Sequence, residues 1–258
     1  MRNAISTVLF LTVMCLPGES SAQPVNDKPP TTNKHFAKAV FEAEDGTKIS
    51  YWLMSPATIL KDKKYPLVLT LHGRGGHTAA ATKLSSDAAR ERFPCFVMAP
   101  ASTDQGHWAF PEGLESEAGK LKETKAMLPA TIAAMDALVK HHPIDLSRIY
   151  VTGQSMGGVG TFGAVSARPD TFAAAIPVAG GWFPKDADKM IGTPFWVFHG
   201  DEDKTVPPDY SRSMVEAIKA AGGSLKYTEY KGVGHNSWVP AYRSDETWVW
   251  MFNQRRTD

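Results

Sequence analysis

The chain has 258 residues, of which 43% are hydrophobic and 21% are charged, and its formal net charge is +1. This composition supplies enough apolar surface for one sizeable core and excludes an intrinsically disordered chain. The nearly balanced charge gives no electrostatic reason to expect a nucleic acid or an anionic membrane surface as partner.

The first 22 residues are typical of an export signal. Arg2 supplies a positive start, an apolar run follows at 5–16, and residues 20–22 are small, as a cleavage site requires. The run is too short to span a bilayer comfortably, so we expect no membrane insertion. We expect a secreted or periplasmic mature chain that begins near Gln23; the alternative is a buried N-terminal helix.

The two cysteines do not predict a disulfide framework. Removal of the signal would remove Cys15 and leave Cys95 without a partner in the chain. Cys95 lies in an apolar run, which favours a buried small side chain over a nucleophile.

The remaining chain is predicted to form a flexible lead-in at 23–34 and one domain at 35–258. Two extended stretches separated by Asp45-Gly46 predict an antiparallel hairpin. Apolar runs then alternate with helical segments, which predicts an α/β fold with a mostly parallel central sheet and helices on both faces. Strands are predicted at 35–43, 48–54, 65–71, 95–99, 148–152, 173–178, 195–198 and 224–230. Helices are predicted at 117–140 (kinked or divided at Pro129), 156–167, 209–221 and 245–254.

Residues 153–157 read Gly-Gln-Ser-Met-Gly and lie between a predicted buried strand and a predicted helix. A G-x-S-x-G pentapeptide alone is a weak signal, but a serine on a sharp strand-to-helix turn adopts a strained backbone for which flanking glycines leave room. This setting favours Ser155 as a nucleophile lifted above the sheet. The alternative is an ordinary turn that happens to contain serine.

A base and an acid follow in the order that a catalytic triad of this kind requires. His235 follows the strand predicted at 224–230, and three acidic residues at 201–203 follow the strand at 195–198. All candidates therefore lie at the carboxyl ends of predicted strands, where open α/β sheets place their sites. The pattern leaves open which of the three acidic residues is the acid.

The segments 155–158, 199–207 and 234–238 resemble the bacterial predicted-peptidase and carboxylesterase branch of the α/β-hydrolase superfamily, which is similar to dienelactone hydrolases, feruloyl esterases and prolyl-oligopeptidase-type catalytic domains. The resemblance covers 36–254 and implies an α/β-hydrolase fold. In the family's H-G-x-x-D-x-x-V-P pattern the fixed aspartate is the triad acid, which here is Asp203. Asp201 is then expected to shape the loop.

The sequence His72-Gly-Arg-Gly-Gly resembles the oxyanion loop of these enzymes. The resemblance implies that the backbone N–H groups of Arg74 and Met156 hold the negative charge that develops on the substrate. The alternative for this glycine-rich segment is a turn that merely closes a strand.

Three tryptophans in loops, Trp108, Trp182 and Trp238, are candidates for the substrate-binding wall; the alternative is that they cover the edge of the core. His72 and His199 precede glycines at strand ends, but no metal-ligand spacing supports them. We expect them to pack beneath the site, and we expect neither a metal nor another cofactor.

The sequence therefore predicts a serine esterase that acts on a small-molecule or polymer-linked carboxylic ester. The stretch 103–115 is too short to form a cap domain, and an open site suits a bulky ester. A peptidase of the prolyl-oligopeptidase type is the main alternative. A third hypothesis is a non-catalytic binding protein on a hydrolase scaffold.

Overall fold

The computed structural model describes residues 34–102, 106–109 and 126–257. Its eight strands form one sheet in the order β1-β2-β4-β3-β5-β6-β7-β8. The strands are Phe36–Glu42 (β1), Lys48–Met54 (β2), Tyr65–Leu71 (β3), Phe96–Ala101 (β4), Ile144–Gln154 (β5), Ala174–Val178 (β6), Phe195–Gly200 (β7) and Leu225–Tyr230 (β8). β1 pairs antiparallel with β2, and β2 with β4, whereas all pairs from β4 to β8 are parallel. The predicted hairpin and parallel sheet are confirmed.

Helices cover both faces of the sheet. They are Ala79–Leu84 (α1), Asp87–Arg92 (α2), Leu128–His141 (α3), Met156–Ala167 (α4), Asp209–Ala220 (α5), Trp238–Arg243 (α6) and Asp245–Asn253 (α7), with a 3₁₀ helix at Pro184–Met190. None of these helices is long and apolar enough to cross a membrane.

The alternation of side chains along each strand divides the core into two layers. On β3, Leu67 and Leu69 belong to one cluster of buried side chains that includes residues of α3, α4 and α5, whereas Val68 belongs to a second cluster that includes residues of α1, α6 and α7. All seven residues of β3 are buried, which explains why the central strands are apolar throughout.

The helix predicted at 117–140, kinked or divided at Pro129, begins in the described residues at Leu128, so Pro129 lies in the first turn of α3. The amides of a first turn have no acceptor within the helix, so proline costs no hydrogen bond there. Three parts of the sequence that carry predictions lie outside the described residues. They are the export signal, the start of the predicted helix at 117–125, and the stretch 103–115 except for residues 106–109.

Candidate active site

Ser155 lies on the turn that joins β5 to α4. Its backbone has φ 56° and ψ −121°, a conformation that residues other than glycine rarely adopt. Such a conformation costs about 1–3 kcal/mol, so the surrounding packing must hold it in place. The strained turn expected from the sequence is present.

Two glycines allow β5 and α4 to approach each other and β3 closely enough for this turn. A Cβ on Gly153 would lie 2.3 Å from the carbonyl oxygen of Gly157, and a Cβ on Gly157 would lie 2.0 Å from that of Leu71. Both contacts are with backbone, which cannot rotate aside. Only hydrogen atoms fit at these two positions.

A continuous hydrogen-bonded path joins Ser155 to Asp203 through His235. The Oγ atom of Ser155 lies 2.9 Å from Nε2 of His235, and Nδ1 of His235 lies 2.8 Å from Oδ2 of Asp203. A carboxylate only accepts hydrogen bonds, so Nδ1 of His235 is the donor and Nε2 is free to accept from the serine hydroxyl. Both distances are within the reach of general-base catalysis.

The carboxylate of Asp203 is buried and accepts four hydrogen bonds. Its Oδ1 accepts from the N–H groups of Thr205 (2.9 Å) and Val206 (3.0 Å), and Oδ2 accepts from His235 and from Nε2 of His199 (3.2 Å). Burial alone raises the pKa of Asp203, but the hydrogen bonds from His199, His235 and the two amides outweigh it and hold the pKa well below its usual range. Asp203 is therefore ionised.

Asp201, two residues earlier, has a different set of contacts. Its Oδ1 accepts from the N–H of Gly232 at 2.7 Å, and the neighbouring N–H of Glu202 donates to the carbonyl of Val233 at 3.0 Å. These bonds fix the loop after β7 against the loop that carries His235. Asp201 thus has the loop-shaping position that the resemblance implies.

The glycine-rich loop after β3 lies directly beside Ser155. A Cβ on Gly73 would lie 3.4 Å from Cβ of Ser155 and 3.3 Å from the carbonyl oxygen of Gln154. Arg74 follows in this loop and has an exposed side chain, while Met156 is the first residue of α4. The amide of a first helical residue has no acceptor within its helix and lies at the positive end of the helix dipole.

Two buried side chains, His72 and Trp108, hold this loop in place. His72 donates from Nδ1 to the carbonyl of Gly73 (2.6 Å) and accepts at Nε2 from the N–H of Ser102 (3.0 Å), while Nε1 of Trp108 donates to the carbonyl of His72 (2.8 Å). Burial lowers the pKa of His72 to about 4, against the opposing effect of the Gly73 carbonyl. His72 is therefore neutral, as its donor–acceptor pattern requires.

Gln154 provides a second attachment that the sequence did not indicate. Its buried side chain accepts at Oε1 from the N–H of Ala79 at 3.0 Å, which connects the turn that carries Ser155 to the start of α1. The sequence feature that could have indicated this hydrogen bond is a polar residue at the buried end of an apolar strand, since buried polar groups have hydrogen-bond partners.

The three tryptophan candidates have different surroundings. Trp238 begins α6 and lies edge-on to the ring of His235, with 5.1 Å between ring centroids. Trp182 packs against Gly163 of α4 and donates from Nε1 to Asp186 at 2.9 Å. Trp108 is fully buried and packs against the ring of His72, so the structure places it in the core beneath the loop and not on an open wall.

His72 and His199 both lie beneath the site with protein partners. Among the described residues, no three His, Cys, Asp or Glu side chains form a group that could hold a metal ion. The contact of His199 with Asp203, however, is more than packing, and the sequence argument missed it.

The family model described as the dienelactone hydrolase family matches residues 57–246, a span that contains Ser155, Asp203 and His235. A crystal structure of a thermostable esterase is 33% identical, with a TM-score of 0.79, and the match covers 86% of this chain and 64% of that chain.

Two curated relatives have less similar sequences. An uncharacterized secreted protein of Arthroderma benhamiae is 29% identical over 240 residues, which are 74% of this chain and 24% of the relative. An uncharacterized peptidase of Bacillus subtilis is 25% identical over 235 residues, which are 76% of this chain and 35% of the relative. The chain thus spans about a quarter to a third of the length of these two proteins.

Proposed function

The chain belongs to the dienelactone hydrolase family of the α/β-hydrolase superfamily, and from that premise we propose that it is a serine hydrolase that cleaves carboxylic esters. The nucleophile is Ser155, the base is His235 and the acid is Asp203. The observation that carries this proposal is the hydrogen-bonded path of 2.9 Å and 2.8 Å from the serine hydroxyl through the imidazole to the carboxylate.

In the proposed reaction His235 removes the proton of Ser155 as the hydroxyl oxygen attacks the substrate carbonyl. Asp203 keeps the ring in the tautomer whose Nε2 can accept that proton, and its negative charge stabilises the imidazolium that forms. His235 then donates the proton to the leaving alcohol. Water hydrolyses the acyl-enzyme with His235 again as the base.

The oxyanion of each tetrahedral intermediate binds to the backbone N–H groups of Met156 and Arg74. Met156 offers an amide at the positive end of α4, and Arg74 follows Gly73, whose Cα faces Ser155. Each such donor stabilises the transition state by about 3–4 kcal/mol.

An ester is preferred over a peptide as substrate because the solved relative with 33% identity is an esterase. We propose a small-molecule or polymer-linked ester whose acyl or aryl group packs on Trp238, which lies beside the base. Trp182 is a second candidate for contact with the substrate. The alternative, a peptidase, is supported by the Bacillus subtilis relative.

We also propose that residues 1–22 direct export, that 23–34 form a lead-in and that 35–258 form one catalytic domain. The secreted fungal relative supports a secreted or periplasmic location.

The test is an assay of purified protein against p-nitrophenyl acetate, butyrate and octanoate, methyl ferulate and a proline-containing peptide anilide. Ser155→Ala is expected to lower ester turnover by roughly 10³-fold or more. Ser213→Ala, on the exposed face of α5, is the matched control and should keep full activity. Peptide cleavage without ester cleavage would favour the peptidase. Failure of the wild type to react with a fluorophosphonate probe would favour a non-catalytic scaffold.

A further inference from the structure

The triad acid has a second imidazole on the oxygen that binds His235. His199 lies at the end of β7 and is completely buried, and its Nε2 lies 3.2 Å from Oδ2 of Asp203. The same Nε2 lies 2.9 Å from the carbonyl oxygen of Val206. Both partners are acceptors, so Nε2 of His199 carries a hydrogen atom and donates to them. Oδ2 of Asp203 therefore accepts from two imidazoles at once.

The other edge of the His199 ring is hydrogen-bonded to α5. Nδ1 of His199 lies 2.7 Å from the hydroxyl of Ser211 on α5, and this hydroxyl lies 2.7 Å from the carbonyl oxygen of Gly180. Gly180 packs against the start of α4, where a Cβ on it would lie 2.5 Å from the carbonyl carbon of Gly158. The contacts thus run from the acid, through His199 and Ser211, to the turn beside the nucleophile.

We propose that His199 is a positioning residue of the triad, which holds Oδ2 of Asp203 in place for His235 and shares the negative charge of that oxygen. This inference rests on the proposed function, because it assigns His199 a role in the same reaction. His199 touches neither Ser155 nor the expected position of the substrate, so its effect passes through Asp203.

Because two donors share the negative charge of Oδ2, removal of one of them should shift the pH dependence of activity in a defined direction. A carboxylate oxygen that donates electron density to two N–H groups binds each of them less strongly than it would bind one alone. Without the His199 donor, Oδ2 would bind protonated His235 more tightly. Protonated His235 cannot act as a base, so activity would be lost at a higher pH than in the wild type.

A charged group beside His199, the carboxylate of Glu229, is paired with Arg212. Glu229 lies opposite His199 in the register of β7 and β8. Its carboxylate accepts two hydrogen bonds from Arg212, at 2.9 Å and 2.7 Å, and one from the hydroxyl of Tyr227. These bonds do not involve His199, so its substitution leaves them in place and removes only the Coulombic interaction between His199 and Glu229.

The experiment compares His199→Phe, which keeps a ring but has no N–H, with His199→Gln, which keeps an N–H donor near the position of Nε2. We expect His199→Phe to lower kcat for a p-nitrophenyl ester by roughly 10- to 100-fold, since a displacement on the order of 1 Å has about that effect. KM should stay within about two-fold, and the acid limb of the kcat/KM profile should move up by roughly 0.5–1 pH unit. His199→Gln should restore most of kcat and return the limb towards its wild-type position.

Purely structural packing predicts a different result. In that case His199→Phe and His199→Gln would both lose thermal stability, and the acid limb of the kcat/KM profile of the folded protein would not move. That result would overturn the proposal. If His199→Phe does not fold, Ser211→Ala is tested in its place. Loss of the Ser211 hydroxyl releases the His199 ring from α5, so kcat should fall, by a smaller factor than is expected for His199→Phe. An unchanged kcat and pH profile in folded Ser211→Ala would also overturn the role.

A substrate-free measurement separates this inference from the proposed function. The Nδ1 proton of His235 should give a downfield proton NMR resonance that moves further downfield when the competing donor of His199 is removed. If no ester is cleaved but this shift is seen, the ester proposal fails and the positioning role stands. If esters are cleaved and the resonance does not move, the positioning role fails and the ester proposal stands.

Discussion

Replacement of Gly157 by alanine should displace the nucleophile turn without touching any proposed catalytic side chain. The added Cβ would lie 2.0 Å from the carbonyl oxygen of Leu71, whereas ordinary Cβ contacts begin at 3.4 Å, so α4 would have to withdraw by roughly 1.4 Å. Overpacking of this kind costs about 1–3 kcal/mol, and the rigid backbone on both sides places this case at the upper end. Alanine is a better helix former than glycine by about 1 kcal/mol, which offsets part of the loss.

The net loss for Gly157→Ala is therefore about 2 kcal/mol, which corresponds to a fall in Tm of roughly 4–8 °C for a chain of this size. The same withdrawal moves Ser155 and the amide of Met156, so kcat/KM should fall by about 10²-fold or more. Gly192→Ala is the control, because no atom lies within 4 Å of its Cβ position; its Tm and activity should match the wild type. A folded Gly157→Ala protein with wild-type Tm and activity would refute the proposed packing of this turn.

Three further changes test other parts of the site and the core. Asp203→Asn should lower kcat by about 10⁴-fold, because an amide no longer selects the required tautomer of His235. The pKa of Asp203 is depressed in the fold, so the carboxylate contributes stability that is present above its ordinary value of 3.8 and lost as the pH falls; acid unfolding of Asp203→Asn should be less steep in this range. Gln154→Leu removes the acceptor of the Ala79 N–H and should cost about 1–3 kcal/mol in chemical denaturation. Burial raises the pKa of Cys95 to about 12, so a thiol reagent near about pH 8 should label it rapidly only after unfolding; rapid labelling of the native protein would contradict the burial.

The strands were predictable from the sequence because their cause is local. A run of apolar residues such as β3 has few alternatives when both faces of the sheet are covered, and the predicted bounds 65–71 match Tyr65–Leu71. The prediction failed for short helices. α1, α2 and α6 have six residues each, too few for a 3.6-residue periodicity to stand out from a loop. Their positions depend on packing against the sheet, which no local pattern encodes.

The placement of the site followed from topology, whereas its supporting contacts did not. Ser155, Asp203 and His235 each follow a strand, and parallel strands bring their carboxyl ends to one edge of the sheet. Trp108 illustrates the limit of this argument, because a loop position at the same edge is compatible with both an open wall and the core. Its full burial results from contacts with His72 and Gly160, which lie far from it in the sequence.

The choice between Asp201 and Asp203 shows what the three-dimensional arrangement adds to a motif. The two residues have the same chemistry and lie two positions apart, so composition and spacing cannot separate them. Their donors differ: Asp201 receives an exposed bond from the N–H of Gly232, whereas Asp203 receives two backbone amides on one oxygen and two imidazoles on the other. A buried carboxylate with four donors keeps its charge and has a fixed orientation. Those two properties are what a base such as His235 requires of its partner, and they favour Asp203 for a physical reason that is independent of the family resemblance.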